Sequence, residues 1–243
     1  MNIRGIAFDL EGTLVDLEKF HHDAHLEVAR KAGLNLTLDE AISSLPHFIG
    51  GPDSAIMDEI IALSKNSTFS AQELLSMDKE LYRKELFEAS ISPRKNVVST
   101  LKKLIDAGIP IAIGSLTNND EALYILKQSG LESIFSKEVT ILREDVKDVK
   151  PAPDVFLKTA ERMGISPTEQ LVFEDSPNGV KAARTAVSIA IGMPVYDKPE
   201  TIGALEKAGV WKIFKNWDEI NIEEILHELK NKIEPRFPSE QMK

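Results

Sequence analysis

Apolar residues fall along the chain in two alternating kinds of run. Short runs with little internal charge occupy residues 3–8, 109–114, 138–142, 171–174, 188–192 and 211–214. They read as strands covered on both faces, because a strand with one wet face alternates apolar with polar positions. Between them the spacing turns helical. Val97, Val98, Leu101, Leu104 and Ile105 form one stripe that stops at Gly108. Ala122, Leu123 and Leu126 precede Gly130, and a run over 155–163 ends at Gly164. Pro177 sits where a helix takes its first turn, and a last amphipathic pattern covers 220–233. Strand–helix alternation of this kind predicts a doubly wound parallel sheet.

One stretch breaks the alternation. Residues 20–32, 38–44, 54–64 and 71–90 carry helical patterns, and no strand pattern falls among them. Because the helices follow the first strand and the sheet resumes only near residue 109, they read as an all-helical insertion. The expected organisation is a catalytic core of residues 1–16 and 93–234, a helical cap of 17–92, and a polar tail of 235–243.

Composition narrows the function classes. The chain has 243 residues, 42% of them hydrophobic and 28% charged, enough for one core with an insertion. A formal charge of −10 argues against nucleic acid or an anionic membrane as partner, since both need a basic footprint. The absence of cysteine excludes disulfides, zinc–thiolate sites and thiol nucleophiles. No apolar run is long enough to cross a bilayer and the first residues do not form a secretory leader, so a cytoplasmic address is expected.

In an open α/β sheet, ligands gather beyond the carboxyl ends of the strands. Asp9 and Glu11 follow the first strand in AFDLEGTLVD, Ser115, Thr117 and Asn118 follow the second, Lys150 comes after the third in KPAPD, and Glu174 and Asp175 follow the fourth. Residues two apart in an extended chain point the same way, so Asp9 and Glu11 can face one site. Acids so concentrated repel one another unless a cation lies between them, and all-oxygen donors select a hard ion such as Mg²⁺.

These four segments together resemble the haloacid dehalogenase-like superfamily, in particular the helical-cap subgroup that contains phosphoglycolate phosphatases and β-phosphoglucomutase. FDLEGTLVD is similar to its first motif, IAIGSLTN to its second, KPAPDVF to its third and LVFEDSPNGVKAA to its fourth. The resemblance implies a Rossmann-like core and an Mg²⁺-dependent phosphatase acting on a small phosphorylated metabolite. It also implies roles: Asp9 as nucleophile, Glu11 as general acid/base, Ser115 and Lys150 holding the phosphoryl group, Thr117, Asn118 and His21 near the substrate. Asp9, the Glu11 carbonyl, Asp175 and Glu174 would surround the metal. A phosphomutase and a catalytically silent phosphate-binding protein are the alternatives.

Two departures stand out. The first motif usually reads DxDGT, whereas position 11 here is Glu. The segment FIGGPDS resembles the loop where β-phosphoglucomutase carries a basic residue for a distal phosphate, and Asp53 stands there instead, which disfavours the mutase. His21 and His25 have the i, i+4 spacing of a metal pair, yet no carboxylate or cysteine completes a zinc site.

Overall fold

Six short strands form one all-parallel sheet in the computed structural model, which describes residues 2–49, 51–64 and 67–231. The chain runs β1 (Gly5–Phe8), α1 (Glu18–Lys31), α2 (Leu38–Ser44), α3 (Asp53–Leu63), α4 (Ala71–Glu88), α5 (Val97–Asp106), β2 (Ile111–Gly114) and α6 (Asn119–Ser129). It continues with β3 (Thr140–Ile141), α7 (Asp154–Met163), β4 (Gln170–Glu174), α8 (Pro177–Thr185), β5 (Ile189–Gly192), α9 (Pro199–Ala208), β6 (Lys212–Ile213) and α10 (Ile222–Asn231). The strand order is β3-β2-β1-β4-β5-β6. The α/β, doubly wound architecture is therefore the one the alternation predicts. Chain order reverses between β1 and β4, the switch point where such sheets bind ligands.

Both sheet faces are dry. Ile6, Phe8, Phe173 and Ile191 point into one apolar layer, and Ala7, Val172 and Ala190 into the other, as the two-residue period of a strand requires. A third apolar cluster lies among α1 to α4 and includes Val28, Leu45, Phe48, Met57 and Leu74. The chain leaves and re-enters the sheet region through adjacent segments that touch at an antiparallel bridge from Val15 to Pro93.

Several elements depart from the sequence reading. α9 carries no clear apolar stripe because Gly203 and polar residues interrupt it; Pro199 at its first turn and Gly209 at φ 92° bound it instead. Strands β3 and β6 are only two residues long. Ile105 and Leu123, placed on inward stripes, are 46% and 60% exposed. Residues 232–243, which include the end of the last helical pattern and the tail, lie outside the described residues. No described helix is long and apolar enough to cross a membrane.

Candidate active site

Strand register brings the first acids together. Phe8 of β1 pairs with Phe173 of β4, so Asp9 and Glu174, one residue further on, emerge side by side. The Asp9 amide donates to the Phe173 carbonyl at 3.0 Å. Beneath them Phe8, Phe173 and Trp217 stack with centroids 5.3 Å apart at each step along Phe8–Phe173–Trp217. The Trp217 indole N–H donates to the Thr13 carbonyl at 3.1 Å and fixes the turn after β1 from below.

Lys150 reaches into this pair. Its Nζ donates to Asp9 Oδ1 at 2.5 Å and to Glu174 Oε1 at 2.6 Å. Burial works against the ammonium charge, but the two carboxylates outweigh it and hold Lys150 above an ordinary lysine. Burial pushes the Asp9 carboxyl up to about 7; Lys150 pulls it down, while the charges of Glu174 and Glu11 add to the rise. Asp175 is raised too, by burial first and then by Glu174 and Asp9. These oxygens are crowded anions short of positive charge. A divalent ion with a preference for oxygen fits Asp9, Asp175 and the Glu11 carbonyl on the chemistry of the donors.

Two glycines make room for the acids. Gly12 has φ 80°, and a Cβ there would fall inside the Asp175 carboxylate, whose Oδ1 accepts from Thr13 Oγ1 at 3.3 Å. At Gly179, in the first turn of α8, a Cβ would overlap the Glu174 carboxylate. Glu174 is fully buried. Its Oε1 faces Lys150, and its Oε2 accepts from the Ser176 amide at 2.9 Å and the Ser176 hydroxyl at 3.0 Å. Both oxygens are thus engaged with protein donors. Gly179→Ala is therefore expected to displace Glu174, release Lys150 and lower kcat at least about tenfold, by analogy with removal of one positioned electrostatic group. The helix itself gains from alanine by ~1 kcal/mol. Unchanged kcat with a raised Tm would show that Glu174 does not set the Lys150 position.

Glu11 is held by three donors. Thr117 Oγ1 donates to its Oε1 at 2.5 Å, Tyr82 Oη donates to its Oε2 at 2.7 Å, and His21 Nε2 lies 3.1 Å from Oε2. Burial pushes the Glu11 carboxyl up, but the hydrogen bond and charge of His21 and the two hydroxyls together bring it below the usual carboxylate range. His21 rises to about 9: burial opposes its charge, and Glu11 more than compensates. His21, expected near the substrate, therefore first of all contacts Glu11, while its ring stacks on Tyr82 at 3.9 Å. Ser115 Oγ lies 2.9 Å from Thr117 Oγ1, and the Asn118 amide donates to Glu121 at 3.1 Å. All nine expected site residues except Glu174 line one cavity of about 440 Å³ between the strand ends and α1, α3 and α4.

The other histidines separate. His25 Nδ1 lies 2.7 Å from Asp78 Oδ1, and its Nε2 lies 4.0 Å from Asp53 Oδ1. Against the expectation that no carboxylate gathers there, two come from α3 and α4, and ligand atoms of His25, Asp53 and Asp78 lie within 4.8 Å of one another. His21 turns to Glu11 instead, so the i, i+4 spacing does not build a two-histidine centre. His22 stacks against Phe48 and Tyr196, and its Nδ1 lies 2.9 Å from the Tyr196 hydroxyl.

Some contributors carry no signal in the sequence. Tyr82 lies 71 residues from the carboxylate it holds. Arg94 donates from Nη1 to the carbonyls of Gly12 at 2.6 Å and Met193 at 2.9 Å, tying the loop after β1 to the end of β5. Arg83 of α4 binds Glu121 at 2.5 Å and Asp120 at 2.6 Å on α6. The glycines had a readable context, in EGT and SPNG.

Acids, a hydroxyl and a lysine thus meet at the switch point of a parallel sheet, and comparison with known proteins gives the class. The model of the haloacid dehalogenase-like hydrolases matches residues 3–186, and the chain belongs to that family. It is 33% identical over 182 residues to fructose-1-phosphate phosphatase YqaB of Escherichia coli strain K12, covering 75% of this chain and 92% of that protein. It is 30% identical over 186 residues to a phosphorylated carbohydrates phosphatase of Thermotoga maritima, covering 76% and 82%. The crystal structure of a HAD hydrolase, family IA, variant 3, from Entamoeba histolytica superposes with a TM-score of 0.78 at 25% identity, covering 95% of this chain and all of that one.

Proposed function

We propose that this phosphoric monoester hydrolase acts on small phosphorylated carbohydrates, depends on Mg²⁺ and works through an aspartyl-phosphate. The observation that carries the reading is the placement of Asp9 beneath a cavity, gripped by Lys150, with Glu11 held beside it by three donors. Similarity to phosphatases named for fructose 1-phosphate and phosphorylated carbohydrates supports the substrate class.

In this reading residues 17–92 are a cap over the core. The ionised Asp9 carboxylate attacks phosphorus, and the bond to the ester oxygen breaks. Lys150 and the Ser115 hydroxyl hold the phosphoryl oxygens. Glu11 delivers a proton to the departing alkoxide, drawing on the proton that its pair with His21 keeps on the imidazole at rest. Water then attacks the aspartyl-phosphate, gives its proton to Glu11, and orthophosphate leaves. Asp9, Asp175 and the Glu11 carbonyl would hold Mg²⁺, which when bound would supply positive charge to the transferring group. Glu174 acts as the positioning group for Lys150 and the α8 turn, not as a metal ligand, because both its oxygens are taken.

The test is orthophosphate release from a panel of phosphate monoesters, with Mg²⁺ and after chelation. Hexose monophosphates are expected to be hydrolysed, with activity lost to the chelator and restored by Mg²⁺. Chelator-resistant turnover overturns the metal dependence. Conversion of β-glucose 1-phosphate to glucose 6-phosphate without phosphate release makes the protein a mutase. Binding without turnover makes it a silent phosphate-binding protein.

A further inference from the structure

The turn after β1 commits its main-chain carbonyls unevenly. Leu10 accepts from the amides of Leu14 at 2.9 Å and Val15 at 3.1 Å. Gly12 accepts from Arg94 Nη1 at 2.6 Å, Thr13 from the Trp217 indole at 3.1 Å, and Leu14 from the Arg94 amide at 2.8 Å. Between them, the Glu11 carbonyl accepts no hydrogen bond among the described residues. A main-chain carbonyl drawn away from water calls for a partner. The carbonyl so left free is the one offered above to a metal.

Arg94 does most of the holding. It is half-buried where the chain re-enters the core, and each acceptor of its guanidinium is a main-chain carbonyl. Besides Gly12 these are Met193 at 2.9 Å, Lys215 at 3.3 Å and Pro194 at 3.4 Å. A guanidinium spreads its donors over a planar fork, and a lysine ammonium does not. The fork thus clamps the turn after β1 to the segments that follow β5 and β6. The clamped turn lies against Asp175: a Cβ on Gly12 would overlap that carboxylate, and Thr13 Oγ1 donates to its Oδ1 at 3.3 Å. A swing of the turn therefore changes how the Glu11 carbonyl stands relative to Asp175.

We propose that Arg94 is a positioning residue for the metal centre, aiming the Glu11 carbonyl and fixing its place against Asp175 firmly enough to favour Mg²⁺ over Ca²⁺. Mg²⁺ demands near-ideal octahedral ligands at about 2.0–2.1 Å, whereas Ca²⁺ accepts irregular ones at about 2.3–2.6 Å. A rigid turn suits the smaller ion and a slack turn the larger. The inference rests on the metal-dependent reading and adds the group that selects the ion.

The experiment is calorimetric titration of chelator-stripped protein with Mg²⁺ and, separately, with Ca²⁺, in the absence of substrate. Arg94→Met is expected to weaken Mg²⁺ binding about 10- to 100-fold, the range for groups that hold metal ligands, and to weaken Ca²⁺ binding at least about tenfold less. Arg94→Lys keeps the charge without the fork and should lie closer to Arg94→Met than to wild type. Trp217→Phe removes the donor to Thr13, keeps a ring, and should shift the Mg²⁺/Ca²⁺ ratio in the same direction. Leu131→Ala, which removes a fully buried side chain just after α6, should lower Tm and leave the ratio as it is. A ratio unmoved by Arg94→Met and Arg94→Lys, or moved as far by Leu131→Ala, overturns the inference; wild-type Mg²⁺ binding that Asp175→Asn abolishes upholds the metal reading even then. Wild-type protein that binds no Mg²⁺, or whose Mg²⁺ binding survives Asp175→Asn, overturns both.

Discussion

Asp9→Asn is expected to abolish hydrolysis of every phosphate ester and to leave the protein at least as thermostable as before. The amide oxygen can still accept from Lys150, so the contact at 2.5 Å has a successor, but the side chain no longer attacks phosphorus. The stability sign follows from titration. The folded-state carboxyl sits at about 7 against an ordinary value of 3.8, so the folded protein holds this proton more tightly than the unfolded chain. The stability tied to that proton is present below 3.8 and is lost as pH rises through about 7. Asparagine has no such loss. In chelator, the Tm advantage of Asp9→Asn should therefore grow between pH 4 and 7 and level off above. Turnover close to wild type in a deamidation-free sample removes Asp9 as nucleophile, and a Tm advantage that shrinks with rising pH removes the electrostatic account.

Glu11→Gln is the other large effect, a fall in kcat on the order of 10²–10⁴-fold, the range for a general acid/base. Glutamine keeps the length and the main-chain carbonyl but carries no transferable proton. It also leaves His21 without its anion. The imidazole value near 9 is a rise from 6.5, so the stability from its pairing is complete below 6.5 and disappears as pH climbs through about 9. The Tm difference between wild type and Glu11→Gln should fade over that window, read by calorimetry. Glu11→Asp separates two views of the glutamate. Its carboxylate meets Thr117 from the sheet side and Tyr82 and His21 from the helices, and a chain shorter by one methylene cannot satisfy all three. Asp at this position, although usual for the motif, should slow the enzyme. A neutral or faster Glu11→Asp means the extra methylene has no role, and full activity in Glu11→Gln takes Glu11 out of the chemistry.

The strand ends are legible in the sequence because a parallel sheet covered on both faces writes itself as charge-poor runs, and whatever polar residue follows each run must stand at one edge. Asp9, Ser115 and Glu174 are found in this way. Lys150 is less direct: it follows a two-residue strand by a loop, and only the prolines after it, Pro151 and Pro153, mark it. The helical stretch is legible as helices, even to the bounds of α2, but not as partners for the site. Nothing local to Tyr82 says that its hydroxyl meets Glu11, since the contact depends on how α4 lies across the strand ends. Asp53 and Asp78 escape notice around His25 for the same reason, as each comes from a different helix. α9 is missed because its apolar residues are too few to outweigh Gly203.

The hold on Glu11 has one more consequence. Only Thr117 among its three donors comes from the segment that follows a strand; Tyr82 and His21 belong to α4 and α1. The carboxylate proposed to move the proton is thus held in common by two parts of the chain. On the proposed role of Glu11, a phosphate on a folded protein, too large to lie under α1 and α4, is expected to bind without being cleaved and to inhibit hydrolysis of a small ester competitively. Release of orthophosphate from such a phosphoprotein at the rate of the small ester overturns that expectation.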